Sequence, residues 1–324
     1  MSETLRVALV GLGDAGAHHA RALKALHGEG RMRWVACCGR DPARTLRYCE
    51  AQGVDLQPWA SLDAMLDAGG IDAVVLATPD GLHGSQALRL AEGGVHALVE
   101  KPLALDAESA FRAVEAFREK GLRLGVGYQL RHHAGHRLAR EALETRVGRL
   151  RRVDLRWTWP DPAVDGWRAR GEGSRWWSLA ALGTHALDLA LWFARRGPED
   201  ASSVEAIIDR EGPVDRRAEV CLGFGDGLTL HVAVSVEYRS VPRLSIVGDL
   251  GELEALGTLG ARGEGTLVHR LPRGATELLP FQPVDPYQAQ LQAFLAAVEG
   301  GQEPSASGSV GARQVRLLER LTAR

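Results

Sequence analysis

The chain has 324 residues, 45% hydrophobic and 25% charged, with a formal net charge of −2. That length suits two domains of roughly 100–200 residues, and near-neutrality removes the electrostatic case for nucleic acid or an anionic membrane. No apolar stretch approaches the ~18 residues of a membrane span, and Cys37, Cys38, Cys49 and Cys221 lack CxxC spacing, so reduced thiols and a cytoplasmic protein are expected.

The first predicted element is a strand, Val7–Val10, running into the turn Gly11-Leu12-Gly13-Asp14-Ala15-Gly16 and then a helix over Ala15–His27. The turn begins too early to leave room for a secretory signal core. Strand, GxGxxG and helix in that order make a dinucleotide site. The first glycine permits the tight turn, the second lets backbone approach the pyrophosphate, and the third lets helix pack on strand. The helix start, with its unpaired N–H groups, then faces the phosphates. A second strand ends at Val35–Cys38, after which Gly39-Arg40-Asp41-Pro42 opens a helix with Asp41 as N-cap and Pro42 in the first turn. Ser61 caps a short helix, Leu62–Asp67. Ala73–Ala77 is apolar on both faces, as a central parallel strand should be. A helix to Glu92, a strand Val95–Val99, a helix from Asp106 to Lys120 and a strand Leu124–Gly127 complete a repeated strand–helix pattern. This is a doubly wound Rossmann domain over residues 1–125.

From residue 126 to 324 the pattern changes. Val153, Leu155, Trp157 and Trp159 alternate with polar residues, as do Leu230, Val232, Val234, Val236 and Tyr238. Further strands are expected at 204–209, 219–224, 243–247 and 251–256, making a largely antiparallel sheet with one open face. Helices are expected at 179–194, 286–299 and 309–324. The loop from Pro160 to Ser174 is the one long irregular stretch.

Four clusters could carry chemistry. Thr78-Pro79-Asp80-Gly81-Leu82-His83 follows a central strand, where open α/β sheets bind ligands, although a Pro/Gly-bounded helix cap would look the same. Glu100-Lys101-Pro102 also follows a strand, and a lysine there can place an ammonium beside a substrate hydroxyl or carbonyl. In Gly183-Thr184-His185-Ala186-Leu187-Asp188, His185 and Asp188 share a helix face with Leu182, and imidazole titrates near neutrality. The fourth cluster gathers Trp157, Trp159, Trp167, Trp176 and Trp177 with Arg156, Arg168, Arg170 and Arg175. Aromatic faces suit sugar rings and guanidinium forks suit carboxylate or phosphate. Alternation puts Trp157 and Trp159 in the core, leaving Trp167, Arg168, Trp176 and Trp177, with Asp188, as substrate-side candidates. His132, His133 and His136 lack a carboxylate or cysteine at ligand spacing, so no metal is expected. His18 and His19 lie on the first helix, facing either the cofactor or solvent.

VALVGLGDAGAHHARAL, ATPDGLHGSQALRLAEGGVHALVEKPLAL, GYQLRHHAGHRLARE, LGTHALDLALW and the stretch from DPYQAQ to the end resemble the Gfo/Idh/MocA oxidoreductases nearly end to end. The resemblance implies a Rossmann domain plus an α/β domain whose last helix (309–324) packs back on the first. It also implies a homo-oligomer, dimer or tetramer, joined through the open C-terminal sheet. It assigns the pyrophosphate to Gly11, Gly13 and Gly16 with Asp14 and Ala15, and the nicotinamide side to Thr78, Pro79 and His83. Glu100 and Lys101 match the family's EKP motif, and His185 matches its active-site histidine. The expected activity is hydride transfer between NAD(P) and a hydroxyl or keto carbon of a sugar-like or other small polar substrate. Lys101 and His185 would move the proton, with Tyr128 a third donor.

Two departures stand out. Gly39 and Arg40 replace the acid that ends the second strand in many relatives, so NADP(H) is the expected cofactor and NAD(H) the fallback. Ala181 replaces the acid four residues before the histidine, where an aspartate would lie one helical turn from His185. Arg175-Trp176-Trp177-Ser178 also replaces a glycine-rich run. These changes keep open a redox-neutral lyase or glycosidase with retained cofactor, and a non-catalytic cofactor-binding sensor.

Overall fold

The computed structural model describes residues 4–161, 166–171 and 173–323; positions 162–165 and 172 of the long loop lie outside the described residues. The chain divides into two compact units. One is the chain up to Gly127 together with Tyr287–Val315, and the other is Tyr128–Pro286 with the residues from Arg316 on.

The first unit runs β1 (Arg6–Val10), α1 (Asp14–Gly28), β2 (Arg33–Cys38), α2 (Pro42–Gln52), β3 (Gln57–Trp59), α3 (Leu62–Ala68), β4 (Ala73–Leu76), α4 (Asp80–Glu92), β5 (His96–Val99), α5 (Ala107–Glu119) and β6 (Leu124–Val126). Its six strands are all parallel, in the order β3-β2-β1-β4-β5-β6. Every residue of β4 is fully buried, which is why that strand is apolar at each position. Strand order reverses at β1 and β4, and the crevice outside their carboxyl ends is where such sheets take ligands. The expected helix starts hold in detail: the side chains of Asp41, Ser61 and Asp106 accept from the N–H groups of Arg44, Ala64 and Ser109. The edge strand β3 has no sequence signal, because three residues are too few to show alternation.

The second unit contains α6 (Ala134–Glu141), β7 (Leu150–Thr158), α7 (Thr184–Ala194), β8 (Ser203–Glu211), β9 (Val214–Gly223), β10 (Thr229–Ser235), β11 (Arg243–Gly248), β12 (Glu252–Leu256), β13 (Thr266–Arg270) and β14 (Thr276–Leu278). They form an eight-stranded sheet, β14-β13-β12-β11-β7-β10-β9-β8. It is antiparallel except for the β7–β10 pair, which is parallel. Val153, Leu155, Trp157, Leu230, Val232 and Val234 are buried on one face, and α7 packs against β7. Trp159 does not join them. The strand ends at Thr158, so the alternation stops, and Trp159 is 47% exposed with the Arg239 guanidinium 4.1 Å from its ring centroid.

The chain closes with α8 (Pro286–Glu299) and α9 (Gly308–Thr322). Within the first unit, Gln290 Nε2 donates to the Val126 carbonyl at 3.1 Å and Val126 N–H donates to Ala306 at 2.8 Å. Gly125 and Gly311 make room: a Cβ on Gly125 would lie 3.0 Å from Phe294, and one on Gly311 would lie 2.6 Å from Val126. Among the described residues no helix is long and apolar enough to cross a membrane.

Candidate active site

In the first unit the glycine turn is shaped by close backbone contacts. Gly11 has φ +98°, and a Cβ there would sit 2.3 Å from the Ala77 carbonyl oxygen at the end of β4. Gly16, in the first turn of α1, passes so near Gly11 that a Cβ would meet its carbonyl at 2.2 Å. Neither position accepts a side chain without moving backbone. Gly13 differs: a Cβ there meets nothing within 4 Å, and no side chain caps the helix it begins. Gly13, Asp14 and Ala15 therefore present an open helix start with unpaired N–H groups, as a pyrophosphate requires.

Gly39, at the end of β2, fits tightly; a Cβ would lie 2.7 Å from Thr45 Oγ1 and 3.0 Å from Leu12. Arg40 is exposed beside it. Asp41 is committed to the α2 cap at 3.0 Å from Arg44 N, and that hydrogen bond holds its carboxyl below the usual range. Arg44, which the sequence did not single out, returns to the glycine turn and donates to the Leu12 carbonyl at 3.0 Å.

Beyond β4, the Thr78 hydroxyl donates to Gln86 at 2.6 Å, Pro79 is exposed, and His83 is 1% exposed. His83 sets its ring between two carbonyls, those of Thr78 and Pro102, each at 2.7 Å. Beyond β5, Glu100 turns inward. One carboxylate oxygen lies 2.8 Å from His19 Nε2, and the other accepts the Lys101 N–H at 3.2 Å. His19 is buried and packs edge-on against Tyr287, while its neighbour His18 stacks on the same ring. Glu100 thus braces the loop from within, and Lys101 is half-buried at its tip, before a cis Pro102.

In the second unit His185 is 5% exposed, with the rings of Tyr128 and Trp157 at 6.0 and 5.9 Å. The Tyr128 hydroxyl pairs with Thr184 Oγ1 at 2.8 Å. The expected helix from residue 179 does not start as an α-helix: Leu179–Gly183 is a π-helical turn, and α7 begins at Thr184. Ala181 lies inside that turn, so the four-residue step to His185 is not the plain α-helical turn that the spacing suggested. The segment is anchored by Asp215, fully buried, which accepts from Trp177 N at 3.0 Å, Leu179 N at 2.7 Å and Ser178 Oγ at 2.5 Å.

Asp188 is not open to a ligand. Arg131 holds it with paired bonds of 2.7 and 2.6 Å, both side chains buried. Burial pushes the Asp188 carboxyl up, and the guanidinium opposes the rise. Trp176 and Trp177 are buried too. Their indole N–H groups donate to Thr322 at 3.1 Å and Asp161 at 2.9 Å, and Arg175 and Arg216 lie over their rings. Trp167 is half-buried, with the Arg168 guanidinium 4.5 Å from its centroid. Arg156 belongs to the opposite face of the sheet from Trp157. His136 donates from Nδ1 to Leu130 and pairs with Thr258, both at 2.8 Å, while His133 caps α6 and contacts the Glu264 carbonyl. Among the described residues no group of three His, Cys, Asp or Glu is placed to hold a metal ion. Arg131 and Asp215 carried no local sequence signal, since their partners lie tens of residues away.

Residues 5–128 match the model of the oxidoreductase family with an NAD-binding Rossmann fold, and residues 136–254 match the GFO/IDH/MocA C-terminal domain. The chain is 29% identical to 1,5-anhydro-D-fructose reductase of Ensifer adhaerens, over 90% of this chain and 86% of that one. Its fold is that of the aldose-aldose oxidoreductase of Caulobacter crescentus: TM-score 0.88, 22% identity, 98% of this chain and 96% of the other. The WlbA dehydrogenase of Bordetella pertussis, solved with NADH and UDP-GlcNAcA, gives a TM-score of 0.82 at 26% identity, covering 99% and 95%. The two family matches, one on each part of the chain, agree with the glycine turn and the Lys101 loop: this chain belongs to the Gfo/Idh/MocA family of NAD(P)-dependent oxidoreductases.

Proposed function

We propose that the protein transfers hydride between a nicotinamide dinucleotide and a hydroxyl or keto carbon of a sugar-like substrate. The observation that carries this reading is the contrast among the three glycines: Gly11 and Gly16 are closed by backbone, while Gly13 opens onto free space at an uncapped helix start. That is a cradle for a pyrophosphate, with Thr78 and Pro79 at the next strand end for the nicotinamide side. The bound cofactor supplies or takes up the hydride. The Lys101 ammonium gives a proton to the substrate oxygen in reduction and accepts one in oxidation, with His185 as the second proton-handling group and Tyr128 as the third. Relatives named for an anhydro-sugar and bound to a sugar nucleotide support a sugar-like substrate.

NADP(H) is the preferred cofactor in this reading. No carboxylate ends β2 at Gly39, Asp41 is spent on the helix cap, and Arg40 stands exposed to meet a 2′-phosphate. The open face of the eight-stranded sheet, where Arg152, Arg156, Glu205 and Glu219 mix charge beside exposed Ile207, receives a second copy of the chain. Titration with NADPH and NADH, followed by a turnover screen over keto sugars and sugar alcohols, tests the function. Binding of neither cofactor, or full binding with no turnover on any substrate, contradicts it. A monomer by sedimentation contradicts the assembly.

A further inference from the structure

His83 makes an unusual pair of contacts. Its Nδ1 lies 2.7 Å from the Pro102 carbonyl and its Nε2 lies 2.7 Å from the Thr78 carbonyl, in a position only 1% exposed. A carbonyl oxygen only accepts, and a neutral imidazole has one N–H. A neutral ring would therefore turn a lone pair onto one of these oxygens at hydrogen-bond distance, a repulsive contact in place of a hydrogen bond. Both contacts are hydrogen bonds only when both ring nitrogens carry protons.

The two carbonyls belong to different loops. Thr78 follows β4 and Pro102 follows β5, its neighbour in the sheet. The Thr78 loop is tied to α4 by the bond to Gln86, and α4 packs close on the chain after β5 at Gly84, where a Cβ would lie 3.2 Å from Ala104 and 3.5 Å from Ser109 of α5. Lys101 sits between two restrained residues: Glu100, whose carboxylate holds the Lys101 N–H and His19, and Pro102, whose carbonyl meets His83. Asp80, also buried, opens α4 three residues before His83.

We propose that His83 is a positioning residue: as a doubly protonated ring it clamps the Thr78 loop to the Lys101-Pro102 loop and so fixes where the Lys101 ammonium stands. The proposal rests on the proton role given to Lys101 above for its kinetic consequence, and on geometry alone for the clamp. Long-range proton–nitrogen NMR spectra of the whole protein at neutral pH count the ring N–H groups of His83, assigned by their loss in His83→Gln. Two are expected, and one overturns the clamp whatever the enzyme turns over. Glutamine offers both its donors from one nitrogen and cannot span the two carbonyls. His83→Gln should therefore lower kcat by up to the ~10²-fold of a misplaced catalytic group, with the dissociation constant of the reduced cofactor held within about twofold. In a Lys101→Met background the same change should add nothing. Independent, additive losses, or weakened cofactor binding at unchanged kcat, overturn the positioning role. Two ring N–H groups in a protein without turnover on any substrate would retain the clamp and defeat the catalytic reading instead.

Discussion

The glycine turn of the first unit is shaped by backbone, whereas the surroundings of His185 in the second are shaped by side chains drawn from separate segments. Gly11 and Gly16 leave no space for a Cβ against neighbouring backbone, and the loops after β4 and β5 are tied through carbonyls and one imidazole. Around His185, by contrast, Tyr128, Trp157 and Thr184 converge from three segments, Arg131 holds the frame from the same segment as Tyr128, and Asp215 from a fourth. Backbone constraints fix a site for a constant ligand. Side-chain frames can be exchanged one residue at a time, which is what a variable substrate demands.

If the second region depends on its side-chain frame, removing one support should show it. Arg131→Met leaves the Asp188 carboxyl buried without its guanidinium, and should cost about 3–5 kcal/mol, seen as a lower urea midpoint. Arg131→Met with Asp188→Leu should restore most of that stability. A single variant as stable as the wild type would mean that the pair contributes nothing to the frame.

Acid should weaken the same unit. Burial pushes His136 down to about 3 and His132 down to about 4, from an ordinary value of 6.5. The unfolded chain therefore binds more protons than the folded one between those values. The stability that these groups contribute is complete above 6.5 and lost as pH falls toward 4, by about 1.4 kcal/mol per pH unit for each group still neutral in the fold. His136→Gln should flatten the fall in melting temperature between pH 6.5 and pH 4. An identical slope would contradict the burial account.

The smallest effect belongs to the first region, where most of the cradle is backbone. Arg40→Ala should reduce the preference for NADPH over NADH by about tenfold, near 1.4 kcal/mol, without loss of NADH binding. An unchanged ratio by fluorescence titration would move the preference to another group, with Arg44 next in line because it already reaches the Leu12 carbonyl.

The same contrast explains what the sequence revealed. The parallel sheet, the helix caps at Asp41, Ser61 and Asp106 and the three glycine positions were legible, because each depends on neighbours a few residues away. Asp188 on a face with His185 looked like a substrate-side residue, but its partner Arg131 lies 57 residues earlier, beyond any local pattern. Trp176 and Trp177 looked like sugar platforms, yet Asp161, Thr322 and two arginines enclose them. The four-residue spacing from Ala181 to His185 assumed an α-helix, and the π-helical turn that breaks it has no signature in composition. His19 was ambiguous for the same reason; its carboxylate lies 81 residues away.

The proton role proposed for Lys101 is read best by a single-turnover experiment. Reduced cofactor bound to the wild-type protein, mixed with a keto sugar that it turns over, should lose its nicotinamide absorbance in one exponential. Lys101→Met should bind the same cofactor with an unchanged dissociation constant and react ~10²–10⁴ times more slowly. A variant that oxidises the cofactor at the wild-type rate would contradict the account.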